Sequence, residues 1–136
     1  MHVHVACAII ERDGLILAAQ RNGSKSLPLK WEFPGGKIDP GESPEACVKR
    51  ELLEEMGISI FIRAALPPST HFYSDFSVTL YPLVCTIASG KITLHEHAAI
   101  SWVSPEELSG LDWAEADLPV IGMYLIRLRA GDYEED

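Results

Sequence analysis

Glu51, Glu54 and Glu55 are spaced i, i+3, i+4, so a helix through them carries all three carboxylates on one face. Like charges at this spacing repel, and the arrangement costs stability unless something neutralises it. Hard divalent cations, which prefer oxygen ligands, are the natural neutraliser. Clustered cations of this kind clamp attacking and leaving oxygens in phosphoryl chemistry. A solvated acidic face partnered by Lys49 and Arg50 is the plainer reading of the same charges. The flanking residues weigh against it. Pro34-Gly35-Gly36 reads as a turn whose glycines permit unusual backbone angles and the close approach of a ligand.

The elements that must position these groups follow from local signals. Ser43 is a candidate N-cap with Pro44 in the first turn, and Gly57 stops the helix after about fourteen residues. Leu52, Leu53 and Met56 lie on its other faces and can hold it to a sheet. Residues 3–10 and 15–20 are apolar and flank Asp13-Gly14, which predicts a β-hairpin. A short strand is expected over 29–33, and further strands over 58–64, 71–88, 91–94 and 98–103. Ser104-Pro105-Glu106-Glu107 has the form of a capped short helix. Asp117-Leu118-Pro119 opens a last helix running to about Arg129, and residues 131–136 read as a frayed acidic tail. Mixed strands with two substantial helices predict an α+β fold or an α/β/α sandwich, with 1–136 as one domain.

Composition sets limits on partners. Lys and Arg total 11 against 20 Asp and Glu, a formal net charge of -9. That balance argues against duplex nucleic acid, which needs basic surface to displace counterions. A small phosphorylated ligand stays compatible if bound cations supply the positive charge. Cys7, Cys47 and Cys85 are odd in number and widely spaced, which disfavours a zinc site or a disulfide framework and favours a reducing compartment. The alternating start Met1-His2-Val3-His4-Val5 soon meets Glu11-Arg12-Asp13, so neither a signal peptide nor a membrane span is expected, and the cytosol is the expected location.

The stretch from Gly36 to Ile58 carries the pattern Gly-x5-Glu-x7-Arg-Glu-Leu-x-Glu-Glu-x-Gly-Ile, formed by Gly36, Glu42, Arg50, Glu51, Leu52, Glu54, Glu55, Gly57 and Ile58. It resembles the Nudix box. Gln20-Arg21, the run Trp31-Glu32-Phe33-Pro34-Gly35-Gly36-Lys37, Glu96-His97, Trp102 and Ala116-Asp117-Leu118-Pro119 extend the resemblance over most of the chain, toward the MutT-like branch that includes CTP pyrophosphohydrolases.

The resemblance implies a Nudix-type α/β/α sandwich with a mixed central sheet. It implies Mg²⁺, or Mn²⁺ in its place, held by Glu51, Glu54, Glu55, the Gly35 carbonyl and Glu96. Arg50 would orient the box glutamates and pair with Glu42, while Arg21 and Lys37 would contact phosphates. By resemblance Glu51 is the favoured general base, with Glu54 and Glu96 behind it. The implied activity is hydrolysis of a nucleoside triphosphate, CTP-like or damaged, to monophosphate and pyrophosphate, by a monomer or homodimer. Hydrolysis of another nucleoside diphosphate derivative, or nucleotide sensing without turnover, are the alternatives.

Asp117 has two readings, helix N-cap and base contact, and the two can coexist. The 8-oxoguanine-specific members carry Asn at the matching position. An ionised Asp only accepts hydrogen bonds, which suits an exocyclic amine, whereas a protonated one also donates and suits oxidised purines. Phe33, Phe72 and Tyr73 are stacking candidates, Tyr73 foremost. Trp31, Trp102 and Trp113 read as packing residues, and Cys47 as a small core residue. The five histidines show no metal-ligand spacing, although His97 lies beside Glu96.

Overall fold

The computed structural model describes residues 1–134. Its centre is strand β1 (His2–Arg12), whose alternation dictates the layers. Even-numbered Ala6, Ala8 and Ile10 share a core with Cys47, Val48, Leu52 and Met56 of helix α1 (Pro44–Met56). Odd-numbered Cys7 and Ile9 share another with Val120, Ile121 and Tyr124 of helix α2 (Leu118–Glu134). A period of two in one strand therefore supports a helix on each face of the sheet. Each fully buried Leu or Ile on these faces contributes about 1.5–3 kcal/mol of apolar burial.

The sheet is mixed. β1 runs parallel to β7 (Ser77–Ser89) from His2↔Ser77 to Ile10↔Cys85. It pairs antiparallel with β2 (Leu15–Gln20) only at Glu11↔Ile16 and Arg12↔Leu15. Asp13 and Gly14 make that turn with φ of 53° and 77°, the left-handed pair that two-residue hairpins favour. β3 (Trp31–Glu32) and β8 (Ala99–Val103) flank β2, and β5 (Ser59–Ala65) and β6 (Ser69–Phe72) pair with β7. The order β3-β2-β1-β7-β5 is that of an α+β sandwich with a mixed sheet, as the sequence leads one to expect.

Several expectations are corrected. Gly35–Lys37 is a strand, β4, paired with β1 through Cys7↔Gly35 and Ala6↔Gly36, and neither glycine has a positive φ. They are needed for close approach instead: a Cβ at Gly35 would lie 1.9 Å from the Ala6 carbonyl oxygen. Residues 91–94 form no strand. Their segment hydrogen-bonds to the end of α1, with Thr93 N donating to Met56 O and His95 N to Glu55 O, so free helix carbonyls take the place of a sheet partner. Leu53 is exposed, while Leu52 and Met56 are fully buried. The last helix continues to Glu134, beyond the expected end at Arg129, and of the expected frayed tail Glu135 and Asp136 lie outside the described residues. Ser43 caps α1 by accepting from Ala46 N, and Gly57 closes it at φ 70°. Among the described residues no helix is long and apolar enough to cross a membrane.

Candidate functional site

Arg21, Phe33, Gly35, Lys37, Glu51, Glu55, Tyr73, Glu96 and Asp117 all line one cavity of about 510 Å³. Glu54 and Arg50 do not line it; both lie on α1, where Arg50 bonds to Glu51, which does line it. The carboxylates reach the cavity from α1 because Gly35 and Gly36 of β4 put no side chain in the way. A Cβ at Gly36 would fall 2.3 Å from the Glu51 carboxyl carbon. Glycine there opens a window through which a helix on one face of the sheet serves a cleft on the other.

Arg50 organises the acidic helix. Its Nε and Nη2 donate to both Glu42 oxygens at 2.8 and 2.9 Å, and its Nη1 to Glu51 Oε1 at 3.0 Å. Glu54 lies 3.5 Å from the same nitrogen, and Asp39 3.4 Å from Nη2. The bidentate pairing holds the Glu42 carboxyl down to about 2, helped by a hydrogen bond from Asp39 N. Glu55 behaves in the opposite way. Burial, then the neighbouring charge of Glu51, push its carboxyl up to about 8. Among the described residues its buried Oε2 has no partner.

These groups fit a divalent cation site by the chemistry of their donors. They are hard oxygens, one of them a buried carboxylate oxygen lacking the hydrogen bond such a group normally needs. Among the described residues no three such side chains yet converge into a cage. Arg50 draws Glu51 and Glu54, and Lys25 Nζ lies 2.6 Å from Glu96 Oε2. The cations of the protein thus offset the repulsion noted in the sequence.

The other half of the cavity is different in character. Val3, Val5, Val78, Leu80 and Phe76 give it an apolar wall. Asp117 is buried beside it, and its Oδ1 accepts from Phe33 N at 3.3 Å. Burial, reinforced by the charge of Glu32, raises its carboxyl well above the usual range, so the protonated form is favoured. No bond from its own helix reaches this carboxylate among the described residues, so the expected N-cap role is not seen. Tyr73 stacks on Phe76 at 4.8 Å, and its hydroxyl accepts from Ala116 N, next to Asp117. Phe33 packs against Trp113 at the cavity, whereas Phe72 is 77% exposed and lies away from it. Cys47 is buried, with its thiol turned to the Gly36 and Lys37 carbonyls, as a packing residue.

Sequence reasoning missed Glu32 and Lys25 as cavity residues and noted His97 only for its place beside Glu96. Glu32 bridges Arg21 Nη1 at 2.7 Å and His97 Nε2 at 2.9 Å. Burial alone would raise its carboxyl, but the His97 hydrogen bond and the Arg21 guanidinium outweigh burial and hold it below the ordinary value. The one available signal was an acidic residue set between Trp31 and Phe33, where a buried strand has no ordinary use for a charge.

The chain is similar to known proteins in sequence and in fold. A family model described as NUDIX domain matches residues 1–122. The CTP pyrophosphohydrolase of Escherichia coli (strain K12) is 37% identical over 123 residues, covering 90% of this chain and 91% of that protein. The 8-oxo-dGTP diphosphatase of Proteus vulgaris is 33% identical over 92 residues, covering 67% and 82%. The solution structure of the E. coli ORF135 protein superposes with a TM-score of 0.80 at 36% identity, covering 96% of this chain and 92% of that one.

Proposed function

The chain belongs to the Nudix hydrolases, and from that premise we propose that it is a Mg²⁺-dependent nucleoside triphosphate pyrophosphohydrolase that releases a nucleoside monophosphate and pyrophosphate. One observation carries the reading: a single cavity joins a cluster of hard oxygen donors to an apolar wall with one buried hydrogen-bonding carboxyl. The first half suits a polyphosphate with its cations, and the second a nucleobase.

Nudix hydrolases act on nucleotides and generally use divalent metal ions. Here Glu51, Glu54, Glu55, Glu96 and the Gly35 carbonyl are the groups to hold them. Bound Mg²⁺ offsets phosphate charge and lowers the pKa of water. Glu51 accepts the proton of the attacking water, and Arg50 fixes its carboxylate for that purpose through Nη1. Arg21 and Lys37 bind the phosphates. Tyr73 and Phe33 flank the base, and Asp117 reads its edge. We further infer that residues 1–136 act as one domain. The free buried cysteines support a reducing, cytosolic setting.

In ¹⁸O-labelled water with Mg²⁺, a triphosphate should yield monophosphate and pyrophosphate, with label in the pyrophosphate when attack falls at the β-phosphorus. Orthophosphate as the primary product would sink the assignment.

CTP-like and damaged nucleotides are the substrate class, since a carboxyl that favours its proton can donate as well as accept. Asp117→Asn should leave the melting temperature unchanged or raised, because no cap is lost and the amide, unlike the buried acid, has no proton to lose as pH rises. The ratio of kcat/KM for a cytosine triphosphate against an 8-oxoguanine triphosphate should fall by the equivalent of roughly 1–3 kcal/mol, the cost of one mispaired buried group. An unchanged ratio in both this variant and Asp117→Ala would remove Asp117 from base recognition.

A further inference from the structure

We propose that His97 is a positioning residue for this reaction, fixing Arg21 toward the substrate phosphates by holding Glu32 between them; the proposal rests on Arg21 being a phosphate contact. Three strands bring the residues together. Arg21 directly follows β2, Glu32 lies in β3 beside it through Ala19↔Glu32, and His97 precedes β8, which is stitched to β2 through Gln20↔Ala99 and an Ala98 N to Gln20 O bond. Glu32 Oε2 meets His97 Nε2 at 2.9 Å and Glu32 Oε1 meets Arg21 Nη1 at 2.7 Å. An ionised carboxylate only accepts, so the proton on this contact belongs to Nε2 of the imidazole.

The other side of the guanidinium is held as well. Arg21 Nε donates to Ser26 O at 2.7 Å and Nη2 to Ser26 Oγ at 3.2 Å. With these and the Glu32 bond in place, N–H groups remain on both terminal nitrogens for a phosphate. A long side chain held from both sides loses little rotamer freedom when ligand arrives, which favours affinity. His97 itself has no freedom to spare: its side chain is 5% exposed. Its Nδ1 is buried without a partner among the described residues, a cost that a simple packing residue would avoid. A leucine or phenylalanine would fill the same space without it. What the imidazole adds is the Nε2 donor at the far end of a short, rigid side chain.

The test uses His97→Gln, His97→Asn and His97→Ala in the full chain, with thermal melts as a folding check. The Gln amide nitrogen reaches the place of Nε2, whereas the Asn amide reaches only that of Nδ1. His97→Ala and His97→Asn should raise KM for the triphosphate about tenfold, with kcat within about twofold, and His97→Gln should return KM to within about threefold of the parent, one hydrogen bond to a charged group being at stake. In an Arg21→Ala background, His97→Ala should cost less than about twofold, because the two act as one unit. A Gln variant as impaired as Ala, a loss in kcat in place of KM, or costs that multiply in the Arg21→Ala background would each overturn the proposal. Binding of a non-hydrolysable triphosphate analogue separates the two readings. A parent that neither cleaves nor binds triphosphate defeats the functional reading and this one with it, whereas a parent that does both while Gln fails to rescue defeats only the role of His97.

Discussion

Glu55→Gln should remove nearly all turnover while leaving a folded protein that tolerates alkaline conditions better than its metal-free parent. The Glu55 carboxyl is held up to about 8 by burial and by Glu51, against an ordinary value of 4.5. A raised carboxyl favours the folded state only while it is protonated. Its contribution is therefore complete below the unfolded value and is lost as pH rises through about 8. In the presence of a chelator, the melting temperature of the parent should fall across that window. The Gln variant cannot ionise there and should follow a flatter curve. Turnover should drop on the order of a thousandfold, since a neutral amide is a poor ligand for a hard cation and several kcal/mol of charge stabilisation go with it. Parallel melting curves for the two proteins, or near-parental kcat at limiting Mg²⁺, would place Glu55 outside the site.

The second large effect separates two adjacent glycines. Gly36→Ala drives a methyl group to 2.3 Å from the Glu51 carboxyl carbon and to 2.5 and 2.7 Å from its oxygens. The obstacle is the end of a side chain, so the fold can yield by displacing it. The variant should remain folded and lose about 100-fold in kcat/KM, the scale expected when a reacting group is misplaced by about an ångström. Gly35→Ala meets backbone instead, with the Ala6 oxygen at 1.9 Å and Cys7 Cα at 2.8 Å. β1 lies at the centre of the sheet and cannot withdraw. That variant should lose roughly 3 kcal/mol or more of stability, as overpacking against an immobile neighbour does. Melts and kinetics on both variants check this, and equal stability losses at the two positions would show that the distinction is wrong.

What the sequence disclosed depended on how far each signal reached. The start and stop of α1 were legible because Ser43, Pro44 and Gly57 act within one turn of themselves. The Asp13-Gly14 hairpin was legible for the same reason. Gly35 and Gly36 were recognised as special for partly the wrong cause, since a glycine needed for close packing looks the same in sequence as one needed for a turn. The strand expected over 91–94 failed because its partner is the carbonyl end of a helix nearly forty residues earlier. Leu53 was misassigned because an apolar residue one position past a buried one turns by about 100° on the helix and meets solvent. In the site, Glu51, Glu54, Glu55 and Arg50 share one helix, so their spacing made them visible. The Arg21–Glu32–His97 group was not, because it is assembled from β-strand neighbours whose pairing no local spacing encodes.

The alternation of β1 has a consequence for how such a protein can change. Val3 and Val5, paired with Val78 and Leu80 of β7, line the apolar wall, and the same odd-numbered row continues inward as Cys7 and Ile9. The even-numbered row supports α1 and, with it, the acidic helix. On the proposed function, substrate choice and chemical competence are thus written in alternate letters of one strand. A substitution at Val3 or Val5 can reshape the space offered to a base while the registration of α1 stays intact. A lineage built on this strand could drift from one nucleobase to another through single valine-to-alanine or valine-to-isoleucine steps, each intermediate still a working hydrolase.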